Sequence, residues 1–225
     1  MSAPLPRPIT LHASGPGGDL ERRLRGAVRG ELLFDRASRG RYSTDASIYQ
    51  VEPVGVLVPA SHEDVRAAFD VCRELRIPML PRGAGSSQCG QTVGRALVVD
   101  HSKRLAGVVA FDREARTVTV EPGLVLDALN AWLKPHGLWF PVDVSTSAQC
   151  TLGGMAGNNS CGSRSIAFGN MVHNVLAIDA LLADGTEATF GSEAAMHGAP
   201  PRVRALVEGL RAIGERERDE IADKV

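Results

Sequence analysis

Apolar residues recur at spacings of four between Asp19 and Phe34, at Leu20, Leu24, Val28 and Leu32, with Arg and Glu on the positions between. That period predicts one amphipathic helix across the whole stretch. The pattern then changes. Val54-Gly-Val-Leu-Val58 is a short apolar run closed by Pro59 and predicts a buried strand. Ser61-His-Glu-Asp64 has the outline of a capping box, with Asp in place of the preferred Glu. Val65, Ala68, Phe69, Cys72 and Leu75 give the helix after it one apolar face. Ile77 to Leu80 is a second apolar run, so Val54 to Leu80 reads as strand, helix, strand: a small α/β unit.

Leu97 to Asp100 predicts another strand. Val108 to Phe111 and Thr117 to Val120 alternate around a turn at Asp112 to Ala115, which predicts an antiparallel hairpin. Leu126, Leu129 and Leu133 predict a helix that stops near Pro135 and Gly137. Phe140 to Asn174 shows no regular period and is expected to be a long functional loop. Val175 to Ala183 predicts a buried strand, with a hairpin turn at Asp184-Gly185 into Glu187 to Phe190. Pro200 to Val225 predicts a charged helix, and no internal repeat is present.

Bulk properties narrow the function classes. The chain has 225 residues, 44% hydrophobic and 23% charged, with a formal net charge of −1 and aromatics at 4%. Lys and Arg never run longer than two in a row. That balance excludes a basic nucleic-acid footprint and a base-stacking surface. No stretch approaches the apolar length of a membrane span, and Met1 to Gly18 lacks the apolar middle of a signal peptide. A cytoplasmic location is therefore expected, with membrane association only through a partner or a further region. Cys72, Cys89, Cys150 and Cys161 fit no metal or iron–sulfur spacing, and the six His are scattered, so no metal is expected. The thiols are expected to be reduced.

The informative chemistry lies in two glycine-bearing stretches. Pro81-Arg-Gly-Ala-Gly-Ser-Ser87 directly follows an apolar run. Glycine lets the backbone approach a phosphate closely, and Ser86 and Ser87 can donate hydroxyl hydrogen bonds. Arg82 can add charge or serve a structural contact. The stretch matches neither a P-loop nor the Rossmann fingerprint, because the lysine and the third glycine are missing. About seventy residues on lies Cys150-Thr-Leu-Gly-Gly-Met-Ala-Gly-Asn-Asn-Ser-Cys-Gly162. Its small residues can accept a flat ring, and Asn158 and Asn159 can reach a polar edge. Either stretch alone can be an ordinary surface turn. Together they point to a dinucleotide held at two places. Cys150 can be a nucleophile, a covalent attachment point or a buried inert thiol, the last being favoured because no His stands near it. His136 and His173 read as structural, and Arg22-Arg23 and Glu215 to Glu220 as solvated faces.

Ordered markers add to this reading. They run from Tyr42-Ser-Thr-Asp-Ala-Ser-Ile-Tyr49 through Val56-Leu-Val-Pro59, Glu63-Asp-Val65, Pro81 to Ser87 and Val120-Glu-Pro-Gly123. Cys150-Thr-Leu-Gly-Gly154, Asn158-Asn159, Phe168-Gly169 and Leu182-Ala-Asp-Gly185 follow. In this order they resemble the FAD-binding domain of the FAD-linked oxidase, or PCMH-type (vanillyl-alcohol-oxidase-like), superfamily. The D-lactate, glycolate and D-2-hydroxyglutarate dehydrogenases are the nearest in pattern. The resemblance implies an α+β fold of two lobes: a small mixed sheet with helices and a larger, mostly antiparallel sheet with helices. It implies FAD as cofactor, with the pyrophosphate on Arg82, Gly83, Ala84, Gly85, Ser86 and Ser87. It places the pyrophosphate and flavin side on Ser145, Cys150, Gly153, Gly154, Asn158, Asn159 and Gly162, and a backbone contact near the adenine on Ile178.

Members with a histidyl flavin commonly carry His where this chain has Ser86, so the FAD is expected to be non-covalent. The expected organisation is a disordered tail at 1–18 and an FAD-binding domain over 19–200. Its lobes are set at about 50–105 and about 106–200. A terminal helix over 201–225 is expected to lead to a substrate domain that this sequence lacks. The expected parent activity is hydride transfer from a small 2-hydroxy acid to flavin, with electron acceptor and catalytic base undefined and the fragment alone inactive. A non-catalytic flavin-binding module and a sugar-nucleotide (enolpyruvyl) reductase remain alternatives.

Overall fold

The computed structural model describes residues 18–191 and 198–224. The tail expected at 1–18 lies almost wholly outside the described residues.

Two cores form, one in each lobe. In the first, α1 (Gly18–Ala27) and α3 (His62–Leu75) pack on a four-stranded sheet of order β1-β2-β4-β3. The strands are β1 (Glu31–Leu33), β2 (Gly55–Val58), β3 (Met79–Arg82) and β4 (Leu97–Asp100). A short helix, α2 (Arg36–Arg41), lies between β1 and β2. β1 pairs antiparallel with β2, whereas β2 and β3 both pair parallel with β4. The β2 and β4 residues are all buried, which is why each reads as an unbroken apolar run. Truncating a side chain such as Leu57 or Leu97, each fully buried, should cost about 2–5 kcal/mol.

The single helix expected from Asp19 to Phe34 ends at Ala27, and Leu32 instead faces Leu57 across the sheet. Gly30 explains the break: a Cβ there would drive into the Val58 carbonyl. The period of four was shared by a helix and a strand burying into one core. At α3, the Ser61 Oγ accepts from the Asp64 amide at 3.4 Å. Asp64, at 4% exposure, does not close the expected capping box. Its carboxylate takes the amides of Arg29 and Ala60, each at 2.8 Å, and so ties the start of α3 to the segment before β1.

The second core gathers β5 (Val108–Asp112), β6 (Thr117–Val120), α4 (Leu126–Leu133) and three short helices. These are α5 (Leu152–Gly157), α6 (Ser165–Phe168) and α7 (Met171–Asn174). A 3₁₀ turn at Lys134–His136 ends α4, and Gly137 closes it at φ 71°. The stretch 140–174 is thus not structureless. Its glycines sit inside a helix because Thr151 caps it and Leu152 and Met155 bury, and packing outweighs the poor propensity of glycine.

β7 (Ile178–Leu181) and β8 (Glu187–Phe190) form a hairpin around Gly185, at φ 87°. β7 is shorter than expected and only half-buried. The antiparallel part of the molecule is two separate two-stranded pieces rather than one larger sheet, since among the described residues no strand joins them. α8 (Pro201–Arg216) docks Val203 against Ala188 and Ala199, and α9 (Arg218–Lys224) follows. Leu210, Ile213 and Ile221 face outward.

The lobes meet through glycines. Gly123 lies on the backbone of His101 and Leu105, and Gly153 on that of Pro122, whose carbonyl takes its amide at 2.8 Å. Side-chain ties add to this: Arg66 on α3 pairs with Glu187 on β8.

Candidate functional site

The first glycine stretch leaves the carboxyl end of β3, beside the carboxyl end of β4. Ligand crevices of open α/β sheets lie at such strand ends. Gly85 takes φ 69°, which reverses the chain without a Cβ penalty. Among the described residues, no acceptor takes the backbone N–H of Gly83, Ala84, Gly85, Ser86 or Ser87. Five successive free amides on an accessible loop form a cradle for an anion of more than one phosphate. The Ser86 side chain is half-buried, and the Ser87 hydroxyl bonds Gln91 and receives the Cys89 amide at 3.2 Å.

The second stretch is satisfied internally. Thr151 Oγ1 accepts the Gly154 amide at 3.4 Å, Asn158 caps the end of α5, and the Ser160 amide goes to the Met155 carbonyl at 3.0 Å. Asn159, at φ 44°, holds the start of α7 by accepting the Val172 amide at 3.0 Å. Gly162 packs against the backbone of Asp143.

The two stretches meet at one point. Gly83 lies on Thr151, so closely that a Cβ on Gly83 would drive into the Thr151 hydroxyl. Thr151 is buried at 2% exposure. Gly83, Gly153 and Gly154 are thereby brought to one junction between the lobes. Sequence reading named the glycines but gave Thr151 no role. The available signal was a Thr placed directly before a helix-forming run, where an N-cap belongs.

Ser145 and Asp143 stand apart from this junction, in the wall of a polar cleft of about 370 Å³ that α4, Trp139 and Arg164 complete. The Asp143 carboxylate accepts from Ser163 Oγ at 2.9 Å, the Arg164 amide at 3.1 Å and Arg164 Nε at 2.9 Å. The Arg164 guanidinium and these bonds hold the Asp143 carboxyl down at about 2. Arg164 also lies over Trp139, 5.0 Å from the ring centre. Cys150 is in the second core at 6% exposure, with its Sγ 3.5 Å from Met155 Sδ. Burial pushes its thiol up, which makes it a packed thiol rather than a nucleophile. Ile178 opens β7 at 44% exposure. His101, beside the first loop, is kept low by burial against the opposing pull of Asp100. Among the described residues, no group of His, Cys, Asp or Glu could hold a metal.

These features agree with what known proteins share with the chain. Residues 53–191 match the family of the FAD binding domain, and the chain belongs to that family. Its cofactor is FAD. A D-2-hydroxyglutarate dehydrogenase of Pantoea ananatis is 38% identical over 159 residues, covering 69% of this chain and 16% of that protein. The glycolate oxidase subunit GlcD of Bacillus subtilis is 34% identical over 166 residues, covering 70% of this chain and 34% of that one. The chain therefore spans about a third or less of these relatives. A solved alkyldihydroxyacetonephosphate synthase superposes at TM-score 0.70 with 20% identity, over 82% of this chain and 36% of its own. At that identity it supports the PCMH-type α+β fold alone. No described helix is long and apolar enough to cross a membrane.

Proposed function

We propose that this chain is the FAD-binding portion of a flavin-dependent dehydrogenase of small 2-hydroxy acids, of the D-2-hydroxyglutarate, D-lactate or glycolate type. The row of free amides from Gly83 to Ser87 carries the reading, because it suits a pyrophosphate and no described residue of the chain uses it. Relatives named for these activities support it at 34–38% identity.

In this reading the Gly83, Ala84, Gly85, Ser86 and Ser87 amides hold the pyrophosphate non-covalently. Gly153 and Gly154 keep the second loop close enough for the ligand to span both, and Asn158 and Gly162 face its flavin side. Bound FAD supplies a two-electron acceptor for the substrate's α-hydrogen. The chain's own residues bind and orient it and exclude water. Substrate selection and proton removal belong to parts of the longer protein outside this sequence.

The visible absorption spectrum of the purified chain after FAD addition and gel filtration tests the reading. Retained flavin bands support it. A colourless protein would overturn it if the longer protein, treated in the same way, also failed to retain FAD. Oxidation of D-lactate, glycolate or D-2-hydroxyglutarate is expected only from the longer protein. Turnover by these 225 residues alone would refute that division of labour.

A further inference from the structure

We propose that Arg82 and the segment Tyr42 to Ala46 are a clasp that sets the shape of the amide cradle, with the guanidinium acting on backbone carbonyls rather than on the anion. The proposal rests on the FAD reading of that cradle. It differs from the expectation that Arg82 contributes charge to the pyrophosphate.

The contacts of Arg82 carry it. Its Nη1 donates to the carbonyls of Tyr42 and Thr92, each at 3.3 Å, and its Nη2 to that of Thr44 at 2.8 Å. Three donors of the fork are thus spent on three carbonyls from two separate segments. Among the described residues, no carboxylate pairs with it. The guanidinium also lies over the Tyr42 ring, 5.3 Å from its centre. Gly85 rests on its other flank: a Cβ there would stand 2.5 Å from Nη2. The residue that gives the loop its reversal is therefore seated on the side chain that gathers the segment.

The segment is tied back at every step. The Ala46 amide donates to the Gly85 carbonyl at 3.0 Å. The Asp45 carboxylate accepts from Thr92 Oγ1 at 2.8 Å and from the Ser47 amide at 2.8 Å. Tyr42 donates its hydroxyl to Asp100 Oδ2 at 2.6 Å, and Asp100, at 3% exposure, also receives Ser102. Asp100 and Arg82 face each other in the parallel register of β3 and β4. The path Arg82, Tyr42, Asp100 and back to Arg82 closes on itself.

Such a ring fixes the loop before any ligand arrives. Five amides aimed at one anion bind it well only if the ordering cost has already been met in the free protein. A loop that samples other shapes weakens apparent affinity in proportion to the fraction lost. Lysine in place of Arg82 keeps the charge but cannot hold three carbonyls in a planar fork. Charge and clasp are therefore separable.

The test compares the 225-residue chain with Arg82→Lys and Thr92→Val, each first shown folded by circular dichroism. FAD affinity is read by titration, and the Ala46 amide by hydrogen exchange without ligand. Thr92→Val removes only the hydroxyl that holds Asp45. A clasp predicts that Arg82→Lys weakens FAD by about tenfold, speeds Ala46 exchange, and is followed in the same direction by Thr92→Val. Parent-like affinity in Arg82→Lys with unchanged Ala46 exchange overturns it, because charge alone then suffices. If the unmodified chain fails to retain FAD, the cofactor reading is what fails. The clasp is then decided by Ala46 exchange alone: faster in Arg82→Lys upholds it, unchanged overturns it.

Discussion

Gly83 rests on the hydroxyl of Thr151, joining the end of a parallel strand in one lobe to the cap of a helix in the other. The contact explains why glycine is needed at Gly83 even though its φ is unremarkable. The constraint is a neighbour from across the lobe boundary, not the local backbone. It also couples the cradle to the second glycine stretch.

Gly83→Ala should therefore destabilise the chain by about 1–3 kcal/mol, as an overpacked contact does. Thr151→Ala should cost about 1 kcal/mol through the lost cap. The double variant should be less destabilised than the two costs added, because removing the Oγ makes room for the new methyl. Urea unfolding of the four proteins measures this. Strict additivity would show that the two residues do not touch in solution.

Asp143 makes stability depend on pH. Its carboxyl is held at about 2 by Arg164 and Ser163, below the ordinary 3.8. A group depressed in this way contributes stability above its unfolded value and loses it as pH falls through the folded value. Asp143→Asn should be less stable than the parent at neutral pH. That difference should shrink as pH drops from 3.8 to about 2. A difference constant across that window, followed by urea midpoints, would contradict the pairing.

Thiol chemistry should sort the cysteines by burial. Cys89 and Cys161 are exposed, whereas Cys72 and Cys150 are buried. Burial drives the Cys72 thiol up to about 12, so almost no thiolate forms at neutral pH. A thiol reagent should modify two cysteines quickly in the native chain and all four in denaturant. Fast native labelling of Cys150 would contradict its place in the second core.

Asp64→Ala should cost about 2 kcal/mol, because it leaves the Arg29 and Ala60 amides without their buried acceptor. Asp35→Ala, at an exposed N-cap, should cost about 1 kcal/mol. Denaturant midpoints decide. Equal costs would show that Asp64 acts only as a helix-capping residue.

Local period and strong backbone preferences were enough to specify the strand-helix-strand unit of the first lobe, both hairpins, the helix from Leu126 and the two glycine stretches. The ordered markers also identified the family, which the match over 53–191 bears out. Contacts between distant segments settled what local pattern cannot hold. Leu32 left the helical period for the sheet because Gly30 had to pass close to Val58. Glycines 153, 154 and 157 became helical because Thr151 caps them and Leu152 and Met155 bury beneath them. The use of Arg82 was likewise set by carbonyls ten and about forty residues away in sequence. A charge written in the chain says that a cation is present. Only the fold says which acceptors reach it first.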